Sequence, residues 1–138
     1  RVYAADTGGR IYRIDLPDSD NHVFPGDCKD EPKPDHCIES PRVTRLADLS
    51  TNGSVENNRR FYSEPDTALV VDGRERYLAI SIGSGYRAHP LNKAADNAQD
   101  RLYMIKDTDV YSIPSLSSLS TIQHGSDLVD LTGYTYVD

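Results

Sequence analysis

The stretch TALVVDGRERYLAISIG, residues 67–83, predicts a β-hairpin. The rest of the chain has the same pattern of short strands joined by tight turns. Two apolar runs, Thr67–Val71 and Arg76–Gly83, are joined by the turn residues Asp72–Glu75. An Asp-Gly pair at such a junction favours a tight hairpin, because glycine adopts the positive φ that short loops need. In the second run, leucine and isoleucine alternate with small residues, which is the period-two pattern of a strand with one strongly apolar face.

The hairpin leads into a loop that carries potentially functional side chains. Gly83 and Gly85 allow the backbone to turn sharply, and Tyr86, Arg87 and His89 follow. A strand that delivers such groups onto a loop can present a binding site. Hydrogen bonding within the loop is the more ordinary interpretation, so we expect these five residues to shape and hold a long inter-strand loop.

Further short strands occur along the whole chain. They are predicted at Val2–Asp6, Arg10–Leu16, Val43–Leu49 and Arg101–Lys106, with weaker strand character at Leu128–Leu131 and Tyr134–Val137. One helical turn near Pro114–Leu119 is the most helix that the pattern supports. Many short strands separated by Gly, Pro, Asn and Asp indicate an antiparallel all-β sandwich, barrel or propeller.

The composition fits a single globular domain spanning residues 1–138. The chain is 37% hydrophobic and 27% charged, with a net charge of −7. The acidic balance argues against a nucleic-acid or anionic-membrane partner, since both require basic patches. No apolar run approaches the roughly 18 residues of a membrane helix. Strand character begins at Arg1-Val2-Tyr3, so we expect the chain to be part of a longer protein.

An acidic insert, residues 17–41, separates the first two strands from the third. It holds seven acids against two lysines, five of the eight prolines and both cysteines, with no strand or helix periodicity. We interpret it as a solvated, locally stiff loop and a candidate contact surface. Its aspartates include Asp18, Asp20, Asp27, Asp30 and Asp35. Asp18-x-Asp20-x-His22 begins like a calcium loop, but Val23 stands where an EF-hand loop needs glycine.

Cys28 and Cys37 are expected to form a local disulfide in an oxidising compartment. The chain-entropy relation gives roughly 2.5–3 kcal/mol for a ring of this size. The spacing fits neither a CxxC redox motif nor a four-ligand zinc site. Free thiols and a metal site that includes His36 remain the alternatives.

No group of residues in the sequence predicts catalysis. Gly83-Ser84-Gly85 lacks the G-x-S-x-G spacing of a nucleophile elbow, which also requires a strand-turn-helix context. Asp107 and Asp109 are interpreted as turn residues. Two basic clusters, Arg59-Arg60 and Arg74-x-Arg76, are flanked by acids and interpreted as solvated surface. We therefore predict no catalytic residue and no metal ligand within the chain.

Three blocks resemble the C-terminal β-propeller of PilY-type proteins, the adhesin and biogenesis factors of the type IV pilus tip. They are RVYAADTGGRIYRIDL at residues 1–16, FYSEPDTALV with YLAISIGSGYRAHPLN between residues 61 and 92, and DRLYMIKD at residues 100–107. They cover about a third of the chain in the order that the family has. The middle block is the most specific, because the first also resembles quinone-dependent propellers.

The resemblance implies a part of a distorted, seven-bladed, quinoprotein-like propeller that is secreted or displayed at the cell surface. It implies periplasmic or outer-membrane association during assembly, and partners among pilin subunits, minor pilins and host or abiotic surfaces. Calcium belongs to the family pattern in a loop upstream of Arg1, so no calcium ligand is assigned here. The insert is not part of the pattern.

The function expected from the resemblance is non-enzymatic: support of pilus biogenesis, twitching motility and surface adhesion. One alternative is a fragment of a quinoprotein dehydrogenase propeller. Repeats of that type usually carry docking tryptophans, and this chain has none. The other alternative is a stand-alone β-rich binding domain.

Overall fold

A computed structural model describes residues 1–17, 38, 40–50, 58–87, 99–114 and 118–134. These residues form seven strands. They are β1 Val2–Ala5, β2 Arg10–Asp15, β3 Arg42–Asp48, β4 Asp66–Asp72, β5 Glu75–Gly83, β6 Leu102–Asp107 and β7 Ile122–Gln123. The predicted all-β class, with antiparallel sheets and almost no helix in the described part of the chain, is confirmed.

The first sheet has the strand order β1-β2-β3-β7. β1, β2 and β3 are antiparallel neighbours, whereas the short β7 runs parallel to β3. Gly9, in the turn between β1 and β2, has a φ of 81°. A Cβ at this position would lie 2.6 Å from Cβ of Ser50 and 2.9 Å from the carbonyl oxygen of Arg59. Glycine is therefore required here both by its backbone conformation and by the close approach of neighbouring chain.

The second sheet is an antiparallel meander, β4-β5-β6. Asp72 is paired with Glu75, so the loop between β4 and β5 contains only two residues. Gly73 in this loop has a φ of 59°, as a tight hairpin of this length requires. The hairpin predicted from the Asp-Gly pair is confirmed.

The hydrophobic core lies between the facing sides of the two sheets. The first sheet and its flanking segments contribute Ile11, Leu46, Ala47, Leu49 and Phe61, and the second contributes Ile80, Ile82, Tyr103 and Ile105. Each of these side chains is at most 9% exposed. Side chains of a strand alternate between its two faces, so every second residue of β2 and of β6 is buried on the side that faces the other sheet.

The outward sides of both sheets also carry apolar side chains. Val2 and Val43 are both registered against Ile14, on the side of the first sheet that faces away from the core. They are 47% and 61% exposed. On the second sheet, Leu102 and Met104 point away from the core and are 81% and 52% exposed.

Two features differ from the sequence predictions. The strand β7 was not predicted, because two residues are too few to produce a period-two pattern. Leu128–Leu131, predicted to have strand character, contains no strand. Most of the acidic insert and three residues of the predicted helical turn lie outside the described residues, as does Tyr134–Val137 apart from Tyr134.

Candidate functional site at the end of β5

The loop that follows β5 is anchored by its backbone and by Ser84. The backbone N–H of Ser84 donates to the carbonyl oxygen of Arg101 at 2.9 Å, and that of Gly85 donates to the carbonyl oxygen of Arg60 at 2.9 Å. Oγ of Ser84 donates to Asp100 at 3.2 Å and accepts from the backbone N–H of Arg101 at 2.9 Å. Ser84 is thus tied to a carboxylate and an amide, which gives it a role in loop anchoring.

The two glycines of this loop do not need the left-handed conformation. The φ angles of Gly83 and Gly85 lie outside the left-handed region, unlike that of Gly73. A Cβ at Gly83 would meet nothing within 4 Å, and one at Gly85 would come no closer than 3.8 Å to Asp100. The sharp turns expected here therefore do not rest on the positive φ that glycine alone readily adopts.

Tyr86 belongs to an aromatic–arginine cluster, which we define as Arg60, Tyr62 and Tyr86. The rings of Tyr62 and Tyr86 are stacked, with centroids 6.0 Å apart and an angle of 29° between planes. The guanidinium carbon of Arg60 lies 4.5 Å from the Tyr86 centroid, within range of a cation–π interaction. Tyr62 is 41% exposed, so part of the cluster is accessible to a ligand.

The structure describes only some of the remaining residues that the sequence predicted for this loop and for the acidic insert. Arg87 is exposed, and its contribution to the loop stays a prediction. His89 lies outside the described residues, as do Cys28 and Cys37. The same holds for Asp18, Asp20, Asp27, Asp30 and Asp35, so the disulfide and the contact loop also stay predictions.

A buried ion cluster connects the sheets at the opposite end of the core. Arg13, only 1% exposed, donates from Nη1 to both oxygens of Asp107 at 3.1 and 3.2 Å and from Nε to Asp15 at 3.2 Å. Nε of Arg1 donates to Asp15 at 2.6 Å, and Oη of Tyr3 donates to Asp107 at 2.6 Å. Each buried carboxylate therefore has a cationic or hydroxyl partner, as burial of a charge requires.

This cluster shifts the pKa values of its members in opposite directions. Burial opposes ionisation of Asp107, but the Tyr3 hydrogen bond and the Arg13 charge outweigh it and lower the pKa of Asp107. Burial, together with the hydrogen bond to Asp107, raises the pKa of Tyr3. The backbone N–H of Asp109 also donates to Asp107 at 3.0 Å, so the predicted turn chemistry is present alongside the ion pairs.

A buried hydrogen bond near the loop joins the segment between β3 and β4 to the second sheet. Arg59 is 1% exposed and donates from Nε to Oη of Tyr103 at 2.8 Å. Burial, followed by the charges of Arg59 and Arg101, lowers the pKa of His124, whose ring meets Tyr103 edge-on at 6.1 Å. The prediction that Arg59 lies on the solvated surface is wrong, because its side chain is buried. The same prediction is confirmed for Arg74 and Arg76, which are exposed.

Sequence reasoning missed the buried ion cluster, although its signal is present in IYRID at residues 11–15. Arg13 and Asp15 lie two and four residues after Ile11, so a strand places all three on one face. The same spacing puts Asp107 on the face of Tyr103 and Ile105. Oppositely charged residues on two strands, each on the same strand face as core residues, therefore indicate a buried ion pair.

Among the described residues, no group of three or more His, Cys, Asp or Glu could hold a metal ion. The part of the chain that the structure describes contains no helix with the length and hydropathy of a membrane span. No family model, curated protein or solved structure matches the chain.

Proposed function

We propose that this chain forms consecutive blades of a PilY-type β-propeller. The protein acts without catalysis in type IV pilus biogenesis, twitching motility and surface adhesion. The observation that carries the proposal is the succession of two antiparallel meanders packed face to face. β1, β2 and β3 are followed along the chain by β4, β5 and β6, and successive blades of a propeller follow one another in this way.

The outward apolar side chains support the propeller. In a propeller, both faces of a blade are covered by neighbouring blades, so both faces carry apolar residues. Val2 and Val43 on one sheet, and Leu102 and Met104 on the other, are 47–81% exposed in the described two-sheet unit. A further blade on each side would cover them.

The three resembling sequence blocks support the same assignment. The first supplies β1 and β2, the second supplies β4 and β5, and the third supplies β6. The blocks that carry the resemblance therefore build five of the six strands in the two meanders. The remaining strand, β3, follows the insert that lies outside the family pattern.

The proposed contact surfaces are the acidic insert and the aromatic–arginine cluster. Tyrosine and arginine dominate the energetically important positions of protein interfaces, because they combine large contact area with directed polar groups. The partners are pilin subunits, minor pilins, and a host or abiotic surface. The protein is secreted and carried at the pilus tip, and calcium binds outside this chain.

Deletion of the gene in the producing bacterium tests the proposal. We expect loss of surface pili, twitching and attachment, with recovery on complementation. A complementing protein that lacks residues 18–40 should restore pili, because the insert lies outside the meanders, but should reduce attachment. Normal piliation and twitching in the deletion strain would overturn the proposal.

A second measurement distinguishes the proposed pilus function from the alternative of a quinoprotein dehydrogenase. The intact protein, reconstituted with a quinone cofactor and calcium, should show no cofactor absorbance after gel filtration. A stable cofactor spectrum would favour the quinoprotein dehydrogenase instead.

A further inference from the structure

The strand β4 is an open edge of the second sheet. Among the described residues it pairs only with β5, and every one of its residues except Val70 is exposed. Leu69 and Val71 are 55% and 61% exposed. A strand paired on both sides and covered on one face would not show this exposure, so the second edge of β4 is accessible.

The composition of this edge is unusual for an exposed strand. Five consecutive residues, Thr67–Val71, carry no charge, and four of them are aliphatic. Natural proteins commonly blunt an exposed edge with lysine, proline or a bulge inside the strand, since an unblunted edge pairs with other chains. Here charges occur only at the two ends, as Asp66 and Asp72. The free edge of β4 can therefore pair with another strand, and the charges of Asp66 and Asp72 determine which strands pair favourably.

The end charges disfavour a second copy of the chain. In the fully overlapped antiparallel pairing of two β4 strands, Asp66 of one copy lies opposite Asp72 of the other at both ends. In the in-register parallel pairing, each aspartate lies beside the same aspartate of the other chain. Like charges placed directly opposite each other destabilise a strand pair, whereas lysine or arginine at these positions would stabilise it.

We infer that β4 binds an extended peptide segment of a partner protein by strand addition. The segment is about seven residues long, apolar at its centre and basic at both ends. Strand addition supplies main-chain hydrogen bonds for affinity and alternate side chains for specificity. The partner's apolar residues cover Leu69 and Val71, and its basic ends pair with Asp66 and Asp72. The added strand gives the second sheet four strands, the number already present in the first.

The acceptor geometry at one end is compatible with this pairing. Oδ1 of Asp66 accepts the backbone N–H of Thr67 at 2.9 Å, which holds the carboxylate at the start of the strand. Substitution of Asp66 by Asn keeps this oxygen and removes only the charge. The inference is independent of the pilus assignment, and each can fail without the other.

Two fluorophore-labelled peptides, titrated into the intact protein and followed by fluorescence anisotropy, test the inference. The first is Lys-Val-Thr-Val-Thr-Val-Lys, whose valines fall on the side of Leu69 and Val71 when it lies antiparallel to β4. The second replaces both lysines with glutamate. This change converts two opposite-charge pairs, with Asp66 and Asp72, into two like-charge pairs, so we expect the second peptide to bind at least fivefold more weakly. Proline at the central valine should abolish binding.

Matched protein variants locate the site. The double substitution Leu69→Thr with Val71→Thr should weaken binding at least about fivefold, because it removes apolar area that the peptide covers. Leu102→Thr with Met104→Thr, on the other edge of the same sheet, should leave binding unchanged. Asp66→Asn with Asp72→Asn should remove the preference for the lysine peptide.

Three results of the peptide titrations would overturn the inference. They are no binding of the lysine peptide, equal binding of the lysine and glutamate peptides, and equal loss in the β4 and β6 variants. Self-association of the unaltered protein that the β4 variant abolishes would point to a second copy as the occupant and would also overturn it.

Discussion

The strands β4 and β6 are the two edges of one sheet, yet they have opposite environments. Both pair with β5 in full antiparallel register, and both carry several aliphatic side chains. In β6 every second residue is buried, whereas in β4 none is. The comparison shows that the apolar content of a strand does not decide whether it is covered.

The difference arises from where the first sheet lies. Its core residues pack against β5 and β6. The polar contacts of Arg13, on β2, and of Arg59, in the segment between β3 and β4, end on Asp107 and Tyr103 of β6. The first sheet thus covers one half of the second and stops before β4. One edge is fixed in the core by ions and apolar packing, while the other is left for pairing.

The largest expected effect comes from breaking the ionic attachment of β6. Arg13→Met should lower the free energy of unfolding by about 3–5 kcal/mol, because it leaves Asp15 and Asp107 buried with too little positive charge. Urea denaturation followed by circular dichroism measures the loss. Arg45→Met removes a pair with Asp48 whose arginine side chain is 48% exposed, and should cost less than about 1 kcal/mol. Equal losses would show that the cluster does not fix β6.

Truncation of one aliphatic residue on each edge tests the comparison directly. Ile105→Ala on β6 should cost about 2–5 kcal/mol, since it removes a side chain that is only 1% exposed and leaves a cavity. Leu69→Ala on β4 should cost less than about 1 kcal/mol, because more than half of the leucine is already in water. A comparable loss at Leu69 would mean that β4 is covered in solution.

The pH dependence of stability should reflect the attachment of β6. The lowered pKa of Asp107 contributes stability that is complete above pH about 4 and is lost as pH falls through the folded-state value. The raised pKa of Tyr3 contributes stability that is complete below pH about 10 and is lost as pH rises beyond it. Urea midpoints between pH 2.5 and 11 should show both losses.

Two variants assign these losses. Asp107→Asn should flatten the acid limb of the profile, and Tyr3→Phe should flatten the alkaline limb. Tyr134→Phe, at an exposed tyrosine, should leave the profile unchanged. An unaltered alkaline limb in Tyr3→Phe would refute the assignment to Tyr3.

The smallest expected effect concerns the hairpin that connects β4 to β5. Gly73→Ala should cost about 1 kcal/mol, because alanine is strained at a φ of 59° although nothing lies within 4 Å of its Cβ. Gly83→Ala, at the other end of β5 with the same free space and no left-handed φ, should be neutral. Thermal unfolding monitored by circular dichroism would distinguish the two, and a loss at Gly83 would contradict the loop geometry.

The hairpin at Asp72–Glu75 and the strands near residues 2–5, 10–15, 42–48 and 102–107 were predictable. Each is defined by residues close together in sequence, through side-chain alternation and turn chemistry. The burial of Arg59 was not predictable, since neighbouring acids suggested solvent and the covering residues are distant in sequence. β7 was missed because it exists only by pairing with β3.

For the candidate site, the sequence indicated the loop from Gly83 to His89, but not its contacts. Tyr62 and Arg60 come from a segment more than twenty residues earlier, and their stacking on Tyr86 follows from how that segment crosses the end of β5. The predicted roles of Arg87 and His89, the disulfide and the propeller stay predictions.

By itself, the sequence determined that this protein is built from short antiparallel strands, where the hairpin between β4 and β5 turns, and which residues of β2 and β6 share a face. These properties depend on φ preferences and on the two-residue repeat of a strand, which act over a few neighbouring residues. Only the tertiary structure decided that β6 is buried and β4 is open, and that Arg13 meets Asp107. Those outcomes depend on where one sheet ends against another, and that boundary is set by contacts between residues far apart in the chain.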